Sequence, residues 1–278
     1  MNNISKILHL YWDDSPMSFL QTLTVDSFHK YNPDWKIIVY VPKNINASNV
    51  KYVPDYLGDD YFHLVRNKEY VEIKTVDLAD FNIDLNLHSI LRSDIFRYKI
   101  LYEYGGVWSD FDVIWLKPMT HLYSVDYVGD VKIDNMKGTV CMFNTTTGHH
   151  NISVLIHAKE CIFLKAIIDE TSKIQKENKI GHQDYGTDML NNMFPTFESI
   201  KTVYNKIIAL KYETIFPYSI NNMNALYKKN DLSYLNNNVL CVHWFNGHEL
   251  SKEYVNRNNY FKRIDCSITT ILKNEKWI

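Results

Sequence analysis

Long apolar runs, excess charge and paired cysteines are all missing from this sequence, and each absence removes a class of function. No segment approaches the ~20 consecutive apolar residues that a bilayer-spanning helix requires. The most apolar stretch, 154–168, is interrupted by His157, Lys159, Glu160 and Lys165. Thirty Lys and Arg against 32 Asp and Glu leave a formal net charge of −2, so no broad electrostatic force draws the chain to nucleic acid or an anionic membrane. The four cysteines, Cys141, Cys161, Cys241 and Cys266, form no Cys-x-x-Cys pair and no metal-type spacing with histidine, which fits free thiols in a reducing compartment. Residues 1–6 lack the basic head and apolar core of a signal peptide. The expectation is a soluble, cytoplasmic chain without a transmembrane segment; peripheral membrane association stays open. The Asn-x-Ser/Thr sites at Asn46, Asn144 and Asn151 carry weight only in a secreted protein.

What is present describes one sizeable folded unit. Forty-six per cent hydrophobic and 22% charged residues over 278 positions supply a core and exclude wholesale disorder. Neither internal repeats nor low-complexity linkers occur. The run 6–12 (KILHLYW) reads as a first strand, Ser15-Pro16 as a helix start, Asn32-Pro33 as its stop, and 35–41 (WKIIVYV) as a buried parallel strand. This is a βαβ unit. Residues 44–86 give no clear pattern. A helix is expected over 88–104, with Leu91, Ile95, Tyr98 and Tyr102 on one stripe and Gly105-Gly106 as its left-handed cap. An extended segment over 107–116 follows, closed by Lys117-Pro118. Further on, 125–143 alternates strand-like pieces with turns, 151–176 reads as a helix, 188–194 as a short helix ended by Pro195, and 239–245 (VLCVHWF) as a late buried strand. The tail from Asn258 is basic and asparagine-rich.

The most informative residues are Asp110 and Asp112. In an extended segment, side chains two apart project to the same side and Phe111 between them points into the core. Paired carboxylates repel unless a pKa rises or a cation neutralises them. Mg²⁺ or Mn²⁺ carrying a diphosphate is a natural occupant, because these ions favour one or two carboxylates with phosphate and water oxygens. Asp94 and Arg97 lie at i and i+3 on the best helix. They read either as a simple ion pair or as an acceptor and a donor in fixed register for sugar hydroxyls. Trp12, in the first strand, and His243, in the last, read on their own as core residues. Twenty tyrosines and six tryptophans add weak support for a carbohydrate or nucleotide site, since aromatic faces stack on both.

The stretch SDIFRYKILYEYGGVWSDFDVIWLKP, Ser93 to Pro118, resembles the signature of glycosyltransferases carrying the DXD sugar-binding motif. It is similar to glycosyltransferase family 32 and, more distantly, to the glucosyltransferase domains of large clostridial toxins. The resemblance implies an α/β, GT-A-type Rossmann-like nucleotide-sugar transferase fold with a mixed central sheet flanked by helices. It makes 1–278 a single domain, with a nucleotide-sugar-binding half over 1–120 and an acceptor-side half over 121–278. It implies a metal-dependent, retaining hexosyltransferase moving a hexose or N-acetylhexosamine, with UDP-sugars favoured over GDP-mannose as donor. The acceptor is a glycan, lipid-linked or protein hydroxyl, as in polysaccharide biosynthesis.

By the same resemblance Asp110, Asp112 and His243 hold Mn²⁺ or Mg²⁺, with His248 a second candidate. Leu8, Trp12, Asp94, Arg97, Gly106 and Asn144 contact the nucleotide or donor sugar, and His9 is structural. Asp188, in Gly186-Thr187-Asp188-Met189-Leu190, sits beside the reacting carbon; a proline usual in this loop is absent. Val242-His243-Trp244-Phe245-Asn246 resembles a late His-x-Trp-Asn, with the tryptophan one place earlier. Three rivals are set against this reading. A haloacid-dehalogenase-type phosphatase places its Asp-x-Asp after a hydrophobic strand near its start, which this chain does not. A glycoside hydrolase separates its carboxylates by roughly 5–10 Å across the bond, unlike an i, i+2 pair. A catalytically degenerate sugar-nucleotide-binding protein would share the fold.

Overall fold

The expected βαβ unit forms from β1 (Ile7–Tyr11), α1 (Phe19–Tyr31) and β2 (Lys36–Pro42). The two strands pair in parallel with Ile7 opposite Lys36. The computed structural model describes residues 4–13, 15–43, 58–128, 139–142, 150–177, 184–204, 207–256 and 259–278. The first helix begins later than Ser15-Pro16 suggests. Ser18 accepts from the Gln21 N–H, and the Gln21 side chain accepts from the Ser18 N–H in return. This reciprocal capping satisfies two free donors and leaves Pro16 outside; Asn32 closes the helix as expected.

Within the stretch that gave no pattern lie α2 (Phe62–Arg66) and β3 (Val71–Val76). The helix α3 (Ser89–Tyr104) is capped by His88, and the Gly105 N–H bonds to Leu101 O at its other end. Gly105 has φ 64° and ψ −174°, a positive φ without the left-handed ψ expected. A Cβ on Gly105 would meet Lys159 N at 2.6 Å and one on Gly106 would meet Ile7 O at 2.5 Å, so both glycines admit close backbone approach. The extended segment expected over 107–116 is split into β4 (Gly106–Ser109) and β5 (Val113–Trp115) by a turn.

Next come β6 (Thr139–Met142), β7 (Val154–His157) and α4 (Ile162–Glu177), so the helix expected over 151–176 begins as a strand. The four residues of β7 are all buried, and a strand covered on both faces shows a continuous apolar run rather than alternation. The chain then forms α5 (Thr187–Met193), α6 (Phe197–Val203), β8 (Ile207–Leu210), α7 (Met223–Tyr227), β9 (Cys241–His243), α8 (Glu249–Asn256) and α9 (Ser267–Asn274). The late strand β9 is shorter than expected and lies outside the main sheet, paired with β5. The tail helix α9 buries Ile268, Ile271 and Leu272.

Among the described residues seven strands form one mixed sheet in the order β3-β2-β1-β4-β7-β6-β8. Strands β3, β2, β1 and β4 run parallel, β7 is antiparallel to β4 and β6, and β6 is parallel to β8. Alternate residues face opposite layers. Leu8, Leu10, Ile37, Val39 and Val107 pack with Val25 and Phe28 of α1, while Tyr11, Ile38, Tyr40 and Trp108 pack with Ile95 and Phe96 of α3. The α/β sheet with helices on both faces is the architecture the sequence predicts. A third cluster joins Ile114, Val242 and Trp244 to α7 and α9.

His9 is buried, its Nε2 2.8 Å from Gly105 O and its Nδ1 3.0 Å from Tyr40 Oη. Burial drives its pKa down to about 4, so it ties the first strand to the glycine turn as a neutral ring. Among the described residues Cys161, Cys241 and Cys266 are free thiols, and no helix is long and apolar enough to cross a membrane.

Candidate active site

The Asp-x-Asp pair sits in the turn between β4 and β5, and all three of its residues are pinned by distant parts of the chain. The Asp110 N–H donates to Ser153 O at 2.8 Å, Thr24 Oγ1 donates to Phe111 O at 2.7 Å, and the Trp244 N–H donates to Asp112 O at 2.9 Å. Phe111 is buried and edge-on to Trp12, ring centroids 5.2 Å apart. Phe111 thus enters the core as expected, but a pinned turn rather than strand alternation presents the two carboxylates. Thr24→Val should therefore loosen the motif. Leaving Phe111 O without its donor costs about 1–3 kcal/mol. A melting temperature lowered by several degrees with weakened metal-dependent nucleotide binding is expected; unchanged values of both would remove Thr24 from this role.

The two carboxylates belong to separate networks. Asp110 Oδ1 accepts from Trp108 Nε1 at 3.0 Å and lies 3.4 Å from Arg97 Nη2. Arg97 pairs with Asp94 at 2.6 Å, donates through Nη1 to Ile152 O at 2.7 Å and lies over the Trp108 ring. On the other side, Asp112 Oδ1 is 3.1 Å from His243 Nε2, and Asp112 Oδ2 accepts from the Asn246 N–H at 2.9 Å. The β5–β9 ladder sets Val113 opposite His243, which brings the histidine beside an aspartate far from it in sequence.

Asp110, Asp112 and His243 each offer a donor atom, all within 4.8 Å of one another. Two carboxylate oxygens and an imidazole nitrogen are a donor set that suits a divalent cation, and among the described residues no other such group occurs. Among the described residues His243 Nδ1 is buried without a hydrogen-bond partner, so the contact with Asp112 is what orients this ring through its nitrogens. These residues fit a divalent ion. His248 uses Nδ1 to accept from the Leu250 N–H at 3.1 Å and is not part of the group.

Burial raises Asp110 above the ordinary carboxylate range, and the charge of Asp112 adds to this against the opposing Arg97. Burial also acts upward on Asp112, but His243 and the Asn246 N–H outweigh it and hold Asp112 low. Asp94 is pushed up to about 6 by burial, with Arg97 opposing and Asp110 assisting. At neutral pH Asp94 and Arg97 form a charged pair, and Asp112 is a carboxylate.

A cavity of about 770 Å³ opens over these groups. Trp12, Asp94, Arg97, Asp110, Asp112, His243 and His248 all line it. Trp12 is buried and donates through Nε1 to Ser15 O at 2.8 Å. Leu8 and Gly106 are not on the wall: Leu8 is a β1 residue whose side chain packs into the core and Gly106 is a buried β4 residue packed against Ile7 O. Asp188 is exposed on the first turn of α5 and its neighbour Thr187 faces the cavity instead. Asn144 lies outside the described residues. Thr24 is not singled out by the sequence, and Trp108 and Asn246 stand there only within the matched segments, without a role of their own. The tryptophan before the motif was the one available signal, an aromatic able to donate a hydrogen bond.

Residues 19–130 match the family model described as glycosyltransferase sugar-binding region containing DXD motif. Inositol phosphoceramide mannosyltransferase 1 of Schizosaccharomyces pombe is 27% identical over 129 residues, covering 45% of this chain and 33% of that protein. The chain thus spans about a third of the length of this curated relative. Among solved structures, PaToxG glycosyltransferase is similar at 15% identity, covering 73% of this chain and 75% of the other with a TM-score of 0.48. The galactosyltransferase LgtC, solved with donor and acceptor sugar analogs, is similar at 16% identity, 86% and 87% coverage and a TM-score of 0.47.

Proposed function

We propose that this chain, which carries the DXD-containing sugar-binding region of glycosyltransferases, is a GT-A-type, metal-dependent, retaining glycosyltransferase. It moves a hexose or N-acetylhexosamine from a UDP-sugar, or mannose from GDP-mannose, to a hydroxyl of a glycan, a lipid-linked sugar or a protein. The observation that carries this reading is the Asp110–Asp112–His243 group on the wall of a cavity that also presents Asp94, Arg97 and Trp12. The name of the mannosyltransferase relative supports including a mannose donor and a lipid-linked acceptor.

The reaction follows from the charges. The bond between the anomeric carbon and the β-phosphate oxygen breaks, and its electron pair leaves with the nucleoside diphosphate. The acceptor oxygen bonds to the same carbon on the same face, and its proton passes to the departing phosphate. Asp110, Asp112 and His243 would hold Mn²⁺ or Mg²⁺, which would supply Lewis-acid stabilisation of the leaving charge. Asp112 stays ionised and tied to the Asn246 N–H, so it offers the ion an anionic ligand already in place. Asp94 accepts from donor-sugar hydroxyls and Arg97 donates to them, which fixes the sugar's orientation. Trp12 flanks the base. Asp188, exposed and off the cavity wall, is given no step, and the phosphatase alternative gains nothing from a motif that His243 completes.

Calorimetry of the full chain with UDP and with GDP, with Mn²⁺ or with EDTA, tests the reading. Tight binding of one nucleotide only with Mn²⁺ is expected; metal-independent binding, or none, opposes it. A pH dependence follows from Asp94. Its carboxylate is charged above about 6 and protonated below, so donor turnover should show an acid limb near pH 6, falling about tenfold per unit at lower pH. Asp94→Asn should lower turnover throughout and abolish that limb; a limb that survives the substitution belongs to another group.

A further inference from the structure

Phe245, two residues beyond β9, has φ 51°, a left-handed conformation that bulky side chains rarely adopt. Among the described residues the other non-glycine positions with positive φ are Asn82, Glu160, Asn259 and Lys276, and none of these lines the cavity, whereas Phe245 does. The backbone on both sides of Phe245 contacts the same aspartate. The Trp244 N–H donates to Asp112 O at 2.9 Å and the Asn246 N–H donates to Asp112 Oδ2 at 2.9 Å. Two N–H groups two residues apart reach a backbone carbonyl and its own side-chain carboxylate because the chain turns sharply between them. The Phe245 carbonyl then accepts from the His248 N–H at 2.9 Å and leads into α8.

The side chain does a second thing. Its ring stands edge-on to His243, centroids 4.3 Å apart and planes at 80°, while Phe216 packs on the same imidazole at 5.0 Å and on Phe245 at 5.7 Å. Among the described residues His243 Nδ1 has no hydrogen-bond partner. The usual device that orients a ligating histidine, a bond from its second nitrogen to a carboxylate or carbonyl, is therefore missing. A strained backbone conformation persists only where its surroundings over-determine it, and glycine would hold this turn without strain. A phenylalanine there makes sense if the ring is needed.

We propose that Phe245 is a positioning residue of the ion site: from its strained turn, its ring holds the His243 imidazole beside Asp112 in place of the missing Nδ1 hydrogen bond. This rests on the reading of Asp110, Asp112 and His243 as ion ligands. The test is Mn²⁺ affinity of the full chain, read from the electron paramagnetic resonance signal of free Mn²⁺, together with melting temperature. Phe245→Gly keeps the turn and loses the ring, so the melting temperature should hold or rise while Mn²⁺ affinity falls about tenfold. Phe245→Tyr should restore the affinity. In a His243→Ala background the same glycine substitution should have no further effect, because it acts through the histidine. Wild-type Mn²⁺ affinity in Phe245→Gly, or an equal loss with and without His243, would overturn the proposal alone. Absence of Mn²⁺ binding in the wild type would instead overturn the ion site and the proposal with it.

Discussion

Asp112→Ala should abolish sugar transfer, lowering turnover by roughly 10³-fold, because it removes an anionic ligand of the ion that would stabilise the leaving charge. Two features of the structure lead to this expectation. It is the member of the pair held low in pKa, by His243 and the Asn246 N–H, and so the one that presents a full charge at working pH. It also joins the ends of two distant segments, since its carbonyl and carboxylate receive the Trp244 and Asn246 N–H groups. The loss should therefore appear in ion and nucleotide binding as well as in turnover. A modest stability loss is expected too. A carboxylate with a depressed folded pKa contributes stability above its unfolded pKa, and that contribution fades as pH falls through the folded value. Part of the wild-type margin over Asp112→Ala should thus disappear on acidification. Calorimetry with Mn²⁺ and a nucleoside diphosphate checks the first claim and thermal melting across pH the second. Turnover within tenfold of wild type would exclude Asp112 from the reaction.

Arg97→Ala should fail differently, as a folding defect as well as a functional one. The guanidinium is buried, pairs with Asp94 at 2.6 Å, approaches Asp110 at 3.4 Å and caps Ile152 O at 2.7 Å. Its removal strands the buried Asp94 carboxylate and the Ile152 carbonyl, and takes a cation from the half-buried Asp110. Breaking a buried pair by deleting one partner costs about 3–5 kcal/mol, and for a chain of this size that corresponds to a fall in melting temperature of roughly 10 °C. Arg97 is also the group that opposes the rise of the Asp94 pKa. Without it Asp94 moves further up and its acceptor charge is lost nearer neutral pH. Arg97→Lys keeps the charge without the planar fork, so it should recover part of the stability and little of the donor affinity. A melting temperature within a degree or two of wild type in Arg97→Ala would show that the ion pair does not support the fold.

Much of this site is legible in the sequence because its parts are local. The helix spacing sets Asp94 three residues before Arg97, and the structure pairs them. Asp110 and Asp112 stand out by their aromatic flanks and the preceding glycines. The reason for their common exposure is not legible, because it lies in contacts from Thr24, Ser153 and Trp244 that no local pattern encodes. His243 reaches Asp112 through a ladder of two three-residue strands, β5 and β9, and strands that short carry no period to read. The family resemblance, rather than spacing, singled it out.

The same logic explains the elements that were missed. At the sheet edge β3 mixes Val71, Ile73 and Val76 with Glu72 and Lys74, a charged and partly exposed pattern suited to an unpaired edge and weak as a signal. In the sheet interior β7 runs into the apolar residues of α4 with only Lys159, Glu160 and Cys161 near the boundary, so the sequence reads as one long helix. Glu160 has φ 57°, and that left-handed residue is where the chain turns between strand and helix.

The central claim is that the chain breaks a nucleotide-sugar bond with an ion held by Asp110, Asp112 and His243. Its most direct test is release of nucleoside diphosphate from a panel of UDP- and GDP-sugars by the full chain, with Mn²⁺ and again with EDTA. Release from one donor, lost with EDTA, is the predicted result and names the sugar at once. No release from any donor, together with no Mn²⁺-dependent binding of UDP or GDP, would contradict the account and leave a catalytically degenerate sugar-nucleotide fold in its place.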